Sequence, residues 1–84
     1  MASKIHITVL YFAQIREATK IKREILELPH NATLKELINL IYRRYPELRN
    51  VKNFKTSVNY HLVKPDAILK NEDEVALLPP ISGG

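Results

Sequence analysis

Glycine is withheld from this chain until its last two positions. Of 84 residues only Gly83 and Gly84 are glycine, and they close the run Leu77-Leu78-Pro79-Pro80-Ile81-Ser82-Gly83-Gly84. Glycine ordinarily goes to turns, where a positive φ costs it nothing; every turn of this chain is made without it. Cysteine is absent altogether, which excludes disulfides, thiolate metal sites, persulfide relays and cysteine nucleophiles together. No stretch approaches the ~20 apolar residues of a membrane span, and no apolar signal-peptide stretch opens the chain. The expectation is a cytoplasmic protein with no membrane contact. Low-complexity segments and internal repeats are also lacking.

What is present describes a single globular domain over residues 1–84, 45% hydrophobic and 26% charged. A chain of this length buries roughly 60–65% of its unfolded surface, enough for one core. Lysine and arginine number 13 against 9 acidic residues, a net charge of +4. The basic residues are dispersed, with no Lys/Arg-rich run interleaved with aromatics, so nucleic acid is not the expected partner. A solvated basic surface that favours acidic protein partners is.

Lys4–Phe12 alternates as a strand, with Ile5, Ile7, Val9 and Tyr11 on one face and His6, Thr8, Leu10 and Phe12 on the other. The second face begins polar and turns apolar, as a second packing layer or a contact surface would. Residues 13–19 suit a short helical connection. Residues 21–28 read as a charged, edge-type strand, followed by a turn at Pro29-His30-Asn31. Thr33 and Glu36 form a capping box ahead of a helical stripe, Leu34, Leu37, Ile38, Ile41 and Tyr45. Arg43 and Arg44 complement the helix dipole, and Pro46 ends the element. Residues 46–53 read as a polar crossover loop. Thr56–Tyr60 is a short strand with Leu62-Val63 as a continuation, and turns follow at 64–66 and 71–73. Glu74–Leu78 is nearly continuous in apolar residues, as in a buried central strand. One amphipathic helix and one sheet pack most compactly as an α+β layer pair with a mixed sheet. The first and last strands then lie parallel at its centre, and the chain end leaves from a central strand.

No self-contained active site is legible. His6, His30 and His61 fall in separate elements without ligand spacing, so no metal site is expected. Ser57 and Ser82 lack a nucleophile-elbow context, no glycine-rich loop can cradle a phosphate, and Asp73 and Glu74 sit in and beside a turn. The remaining special group is the α-carboxylate of Gly84. A Gly-Gly end has no Cβ to shield its carbonyl and can thread a narrow channel, although taken alone it also fits a frayed terminus. If this chain handles sulfur, the atom cannot ride on a thiol, and the terminal acyl group is the place left.

The run Val9-Leu10-Tyr11-Phe12-Ala13-Gln14-Ile15-Arg16-Glu17, the pair Val58-Asn59 and the closing segment 73–84 together resemble the small subunits of molybdopterin synthase. These are sulfur carriers of the ubiquitin-like β-grasp class. The closing Asp-Glu-Val-Ala-x-x-Pro-Pro-x-Ser-Gly-Gly pattern is the specific part, and the opening block separates this family from the thiamine sulfur carriers. At Asn71-Glu72-Asp73 the chain departs from the family, where a glycine is common. The resemblance implies a β-grasp fold with 79–84 as a reactive tail; residues 80–84 are expected to be mobile in the free protein. It implies that Gly84 is adenylated and then thiocarboxylated, that Gly83 permits passage, and that Pro79 and Pro80 stiffen the tail base. The implied partner surface comprises Phe12, Leu62 and Leu78 with Pro79, Pro80, Ile81 and Ser82, and Arg16 is expected to form a rim salt bridge. The implied partners are the large synthase subunit and a ubiquitin-activating-like adenylyltransferase. That enzyme consumes the ATP; the carrier holds no cofactor stably and has no catalytic activity alone. The same tail also suits carriers for tRNA thiolation or thiamine, and a ubiquitin-like modifier joined to lysines through Gly84.

Overall fold

A computed structural model of the chain describes residues 3–51 and 53–79. Strand β1 (Lys4–Tyr11) leads into helix α1 (Ala13–Thr19), strand β2 (Arg23–Pro29) and helix α2 (Leu34–Arg44). A 3₁₀ turn (Pro46–Asn50) then precedes β3 (Lys55–Val58), β4 (His61–Leu62) and β5 (Glu74–Leu78). The five strands form one mixed sheet in the order β2-β1-β5-β3-β4. As expected, β1 and β5 run parallel at the centre, with Val9 beside Val75 and Tyr11 beside Leu77, and β2 is an edge. Among the described residues, no helix is long and apolar enough to cross a membrane.

Period-two burial organises the sheet. Ile5, Ile7, Val9 and Tyr11 of β1 face inward with Leu26, Leu28, Val75 and Leu77, and meet Ile15 of α1 and Leu34, Leu37 and Ile41 of α2. The α2 N-terminus is capped by the Thr33 hydroxyl, which accepts the Glu36 N–H at 3.2 Å. The reciprocal half of the capping box is altered: the Glu36 carboxylate accepts from the Thr33 hydroxyl at 3.4 Å. Thr33 is also held in an antiparallel bridge to Ile68.

Three local expectations are corrected. Residues 46–53 are no plain polar crossover, because the 3₁₀ turn drives Leu48 into the core with no exposed surface. Leu62 does not prolong β3. The chain reverses at Asn59-Tyr60, both at positive φ (50° and 73°), so that Val58 pairs with His61 in a two-residue hairpin of the mirror-turn kind. The apolar run in β5 has only one face in the core: Val75 and Leu77 are buried, while Glu74, Ala76 and Leu78 are half-buried on the other side.

Glu24 is the least expected interior group. It lies on the core side of β2 with its side chain 13% exposed, and its carboxylate accepts from Tyr11 Oη at 2.6 Å, Tyr45 Oη at 2.7 Å and Arg44 at 3.2 Å. Tyr11 and Tyr45 also meet edge to face, with centroids 5.8 Å apart. Burial, then the hydrogen bond to Glu24, holds the Tyr11 phenol protonated far above its ordinary 10.0; burial and the same carboxylate raise Tyr45 as well. A phenol whose folded-state pKa is raised stabilises the fold fully below the unfolded value and loses that contribution as pH climbs above it. Stability should therefore hold level up to about pH 10 and decline beyond it. Tyr11→Phe should cost about 1–3 kcal/mol at neutral pH and flatten the alkaline decline. Urea titrations across pH 8–11 measure both; equal alkaline slopes for the two proteins would refute the assignment.

The scarcity of glycine leaves its mark on the turns. Lys20, Asn31, Asn53, Asn59, Tyr60 and Glu72 all occupy the left-handed region, which costs a residue with a Cβ roughly 1–2 kcal/mol. Asn tolerates it, but Glu72, at φ 71°, has no such advantage. Glu72→Gly is expected to stabilise the protein by about 1 kcal/mol, raising Tm by roughly 4–8 °C. An unchanged or lowered melting temperature would show that Glu72 carries no strain.

Candidate functional site

The face of the sheet turned away from the helices carries the candidate site. Its residues are those that alternate with the core: Leu10 of β1, Ala76 and Leu78 of β5, and Lys55 and Ser57 of β3. The registers align them in rows. Leu10 lies beside Ala76, Ala76 beside Ser57, and Ser57 beside Leu62, while Leu78 lies beside Lys55. Phe12 follows Tyr11, the residue paired with Leu77, and so stands next to Leu78 at the end from which the chain leaves the sheet. These residues, with Tyr60, Glu74 and Pro79, line an apolar groove of about 450 Å³.

Exposure separates this face from the core. Phe12 is 37% exposed, Leu62 66% and Tyr60 88%, against 0% for Val75 and Leu77 on the opposite side of β5. Phe12 is held by its backbone, since its carbonyl accepts from Ile15 at 2.9 Å and Arg16 at 3.3 Å to start α1. Its ring is therefore free to serve the surface. Tyr60 and Leu62 are anchored by Asn59, whose side chain donates to Asp73 Oδ1 and accepts from the Glu74 N–H, both at 2.9 Å. The Asn59 backbone N–H also donates to the Glu74 carbonyl at 2.8 Å. Val58-Asn59 and Asp73-Glu74 were separate blocks of the sequence resemblance. In the fold they form one clasp that fixes the hairpin against the start of β5.

Cations flank the tail end of the groove. Lys55 lies opposite Leu78, and Arg16 is exposed, with Nε donating to the Tyr11 carbonyl at 3.5 Å. Arg16 takes part in none of the ion pairs among the described residues, which are Lys4–Glu27, His6–Glu27 and Arg44–Glu24.

Of the residues singled out from sequence, the structure gathers Phe12, Leu62, Leu78 and Pro79 around one groove, with Arg16 one helical turn beyond Phe12. Pro80, Ile81, Ser82, Gly83 and Gly84 lie outside the described residues, as does the expectation of a mobile tail. Sequence reasoning overlooked Lys55, Tyr60 and Ala76. The signal for Ala76 was the unbroken apolar run in β5, which fits two covered faces or one covered face and one sticky one. Tyr60 becomes legible only once Val58 and His61 are known to pair.

A family model described as the ThiS family matches residues 9–84. A molybdopterin synthase sulfur carrier subunit from Chlamydomonas reinhardtii is 37% identical, over 95% of this chain and 100% of its own. Among solved structures, a Pyrococcus furiosus protein provisionally described as molybdopterin converting factor, subunit 1, superposes with a TM-score of 0.87 at 28% identity, over 92% of this chain and 99% of that one. Two further likenesses speak for the fold alone. Small archaeal modifier protein SAMP1 from Haloferax volcanii has a TM-score of 0.84 at 20% identity, covering 94% of this chain and 99% of its own. A chain from the complex of subunits 1 and 2 of the Helicobacter pylori molybdopterin-converting factor has a TM-score of 0.70 at 23% identity, covering 95% of this chain and all of its own.

Proposed function

The chain belongs to the ThiS family, and on that footing we propose that it is the sulfur-carrying small subunit of a molybdopterin synthase. The observation that carries this reading is that the family match runs through to Gly84: the Gly-Gly pair lies within the matched residues, and the strand that precedes it in sequence, β5, is central in the sheet. The name of the Chlamydomonas relative points to the same role.

The chemistry follows from the group available. An α-carboxylate with a pKa of about 3.3–3.7 is ionised at neutral pH and is a poor acyl donor. A partner adenylyltransferase activates it: a Gly84 carboxylate oxygen attacks the α-phosphorus of ATP, pyrophosphate leaves, and a mixed anhydride forms. Sulfide sulfur then attacks the acyl carbon and AMP leaves, giving a thiocarboxylate. In the large subunit's active site that sulfur attacks a pterin precursor, and hydrolysis of the acyl–sulfur bond restores the carboxylate. Two such deliveries furnish the two sulfurs of a dithiolene.

The groove is proposed as the anchoring surface for both partners. An apolar patch with a charged rim suits such docking. Arg16 and Lys55 would meet acidic residues there, raising the association rate more than the affinity. Reconstitution tests the proposal. The protein, incubated with an adenylyltransferase of this type, ATP and a sulfide source, should acquire a sulfur that the large subunit transfers to the pterin precursor. A protein that is adenylated and sulfurated yet never yields a dithiolene product would belong to another sulfur pathway.

A further inference from the structure

The free edge of the sheet has a self-complementary pattern. Among the described residues, strand β2 pairs only with β1, and no strand lies on its other side. The Tyr11 N–H donates to the Lys22 carbonyl at 2.8 Å, and the His30 N–H to the Ser3 carbonyl at 2.9 Å. Hydrogen-bonded pairs alternate along an antiparallel ladder, so with the observed register the inward-bonded residues of β2 are Glu24, Leu26 and Leu28. The backbone N–H and C=O groups of Arg23, Ile25 and Glu27 therefore point out along the free edge. Pro29, without an N–H, ends the donor row.

We propose that this edge pairs with the same edge of a second copy of the chain, antiparallel about a twofold axis at Ile25. In that register Ile25 faces Ile25 of the second copy, and Arg23 of each chain faces Glu27 of the other. All three outward N–H groups of each chain find carbonyl partners. Ile25, 65% exposed in the single chain, gains an apolar cross-strand neighbour. The charges decide between self-pairing and protection of the edge. A guarded edge carries charges that repel a second copy, whereas opposite charges placed symmetrically two residues either side of Ile25 attract one, as opposite-charge cross-strand pairs do. Glu27 meets Lys4 and His6 on β1, both at 3.3 Å, with half of its side chain exposed, so its carboxylate lies on the outer face and has to be shared with Arg23 of the second copy or turn from β1 toward the edge. The resulting assembly is a continuous ten-stranded sheet. Because the pairing is edge to edge and β1 separates β2 from β5, the groove stays open in both copies, and the dimer does not depend on the sulfur-carrier reading.

So small an interface is transient by the standards of stable dimers, and its test is concentration-dependent. NMR diffusion and amide exchange should show slower tumbling and growing protection of the Arg23, Ile25 and Glu27 amides as the protein is concentrated toward millimolar. Ile25→Pro removes an outward N–H without breaking a bond inside the chain; it should remain folded and monomeric. Arg23→Glu and Glu27→Arg should each lose self-association at least tenfold, through Glu–Glu and Arg–Arg contacts respectively, and the two variants mixed should associate with each other. A wild-type chain that stays monomeric at every concentration overturns the proposal. So does self-association that persists in Ile25→Pro, or a mixture that behaves as its separate components.

Discussion

Deleting Gly84, or adding one residue after it, should abolish sulfur transfer and leave the fold unchanged. Among the described residues the most C-terminal member of the core is Leu77, and the last strand ends at Leu78. An added residue moves the carboxylate one position outward and puts a Cβ where a partner's channel is expected to admit only glycine. The effect is therefore on chemistry. Circular dichroism and thermal melting should superimpose on wild type, while adenylate and thiocarboxylate formation fall to background. A truncated form that still supports dithiolene formation would remove Gly84 from the mechanism. A form that fails to fold would show that the tail is structural.

Replacing Phe12 by alanine should cost about 2 kcal/mol or more in partner affinity, a loss of roughly thirtyfold. The same truncation in a core would cost about 3–5 kcal/mol of folding free energy. Phe12 is more than a third exposed, on the face away from the helices, and its part in starting α1 is played by its backbone carbonyl, which alanine retains. Stability should fall little. Leu78, beside it on β5, and Leu62, two strands away across β3, line the same groove, so Leu62→Ala should weaken the same complexes. Titration calorimetry with the large subunit, alongside thermal melting, separates the two costs. A large drop in Tm with affinity unchanged would make Phe12 a core residue.

The elements whose signals are local were legible in the sequence. The Thr33 cap, the α2 stripe and the alternation in β1 each depend on residues within a turn or two of one another. The parallel placement of β1 beside β5 followed from there being one sheet, one main helix and a nearly continuous apolar last strand. What escaped depends on distant partners. Leu48 reads as one apolar residue in a polar loop, and only the space beneath the 3₁₀ turn draws it inward. Glu24 reads as an edge charge; it is interior because Tyr11 and Tyr45, 13 and 21 residues away, bring hydroxyls to it. Tyr60 was misplaced in a strand because non-glycine residues rarely make a two-residue hairpin of positive φ, and here the Asn59–Asp73 clasp holds that turn. Of the candidate site, the apolar members on strand ends were found, whereas Ala76 and Lys55 acquire their place only from register.

The central claim is that the reactive group is the terminal acyl carbon of Gly84. Intact-mass analysis of the protein recovered from its native host addresses it most directly. A fraction should carry the increment of one oxygen replaced by one sulfur, confined on fragmentation to the C-terminal residue and lost on alkylation and hydrolysis. A protein found only as the free carboxylate, or joined through Gly84 to lysines of other proteins by isopeptide bonds, would contradict it as a sulfur carrier.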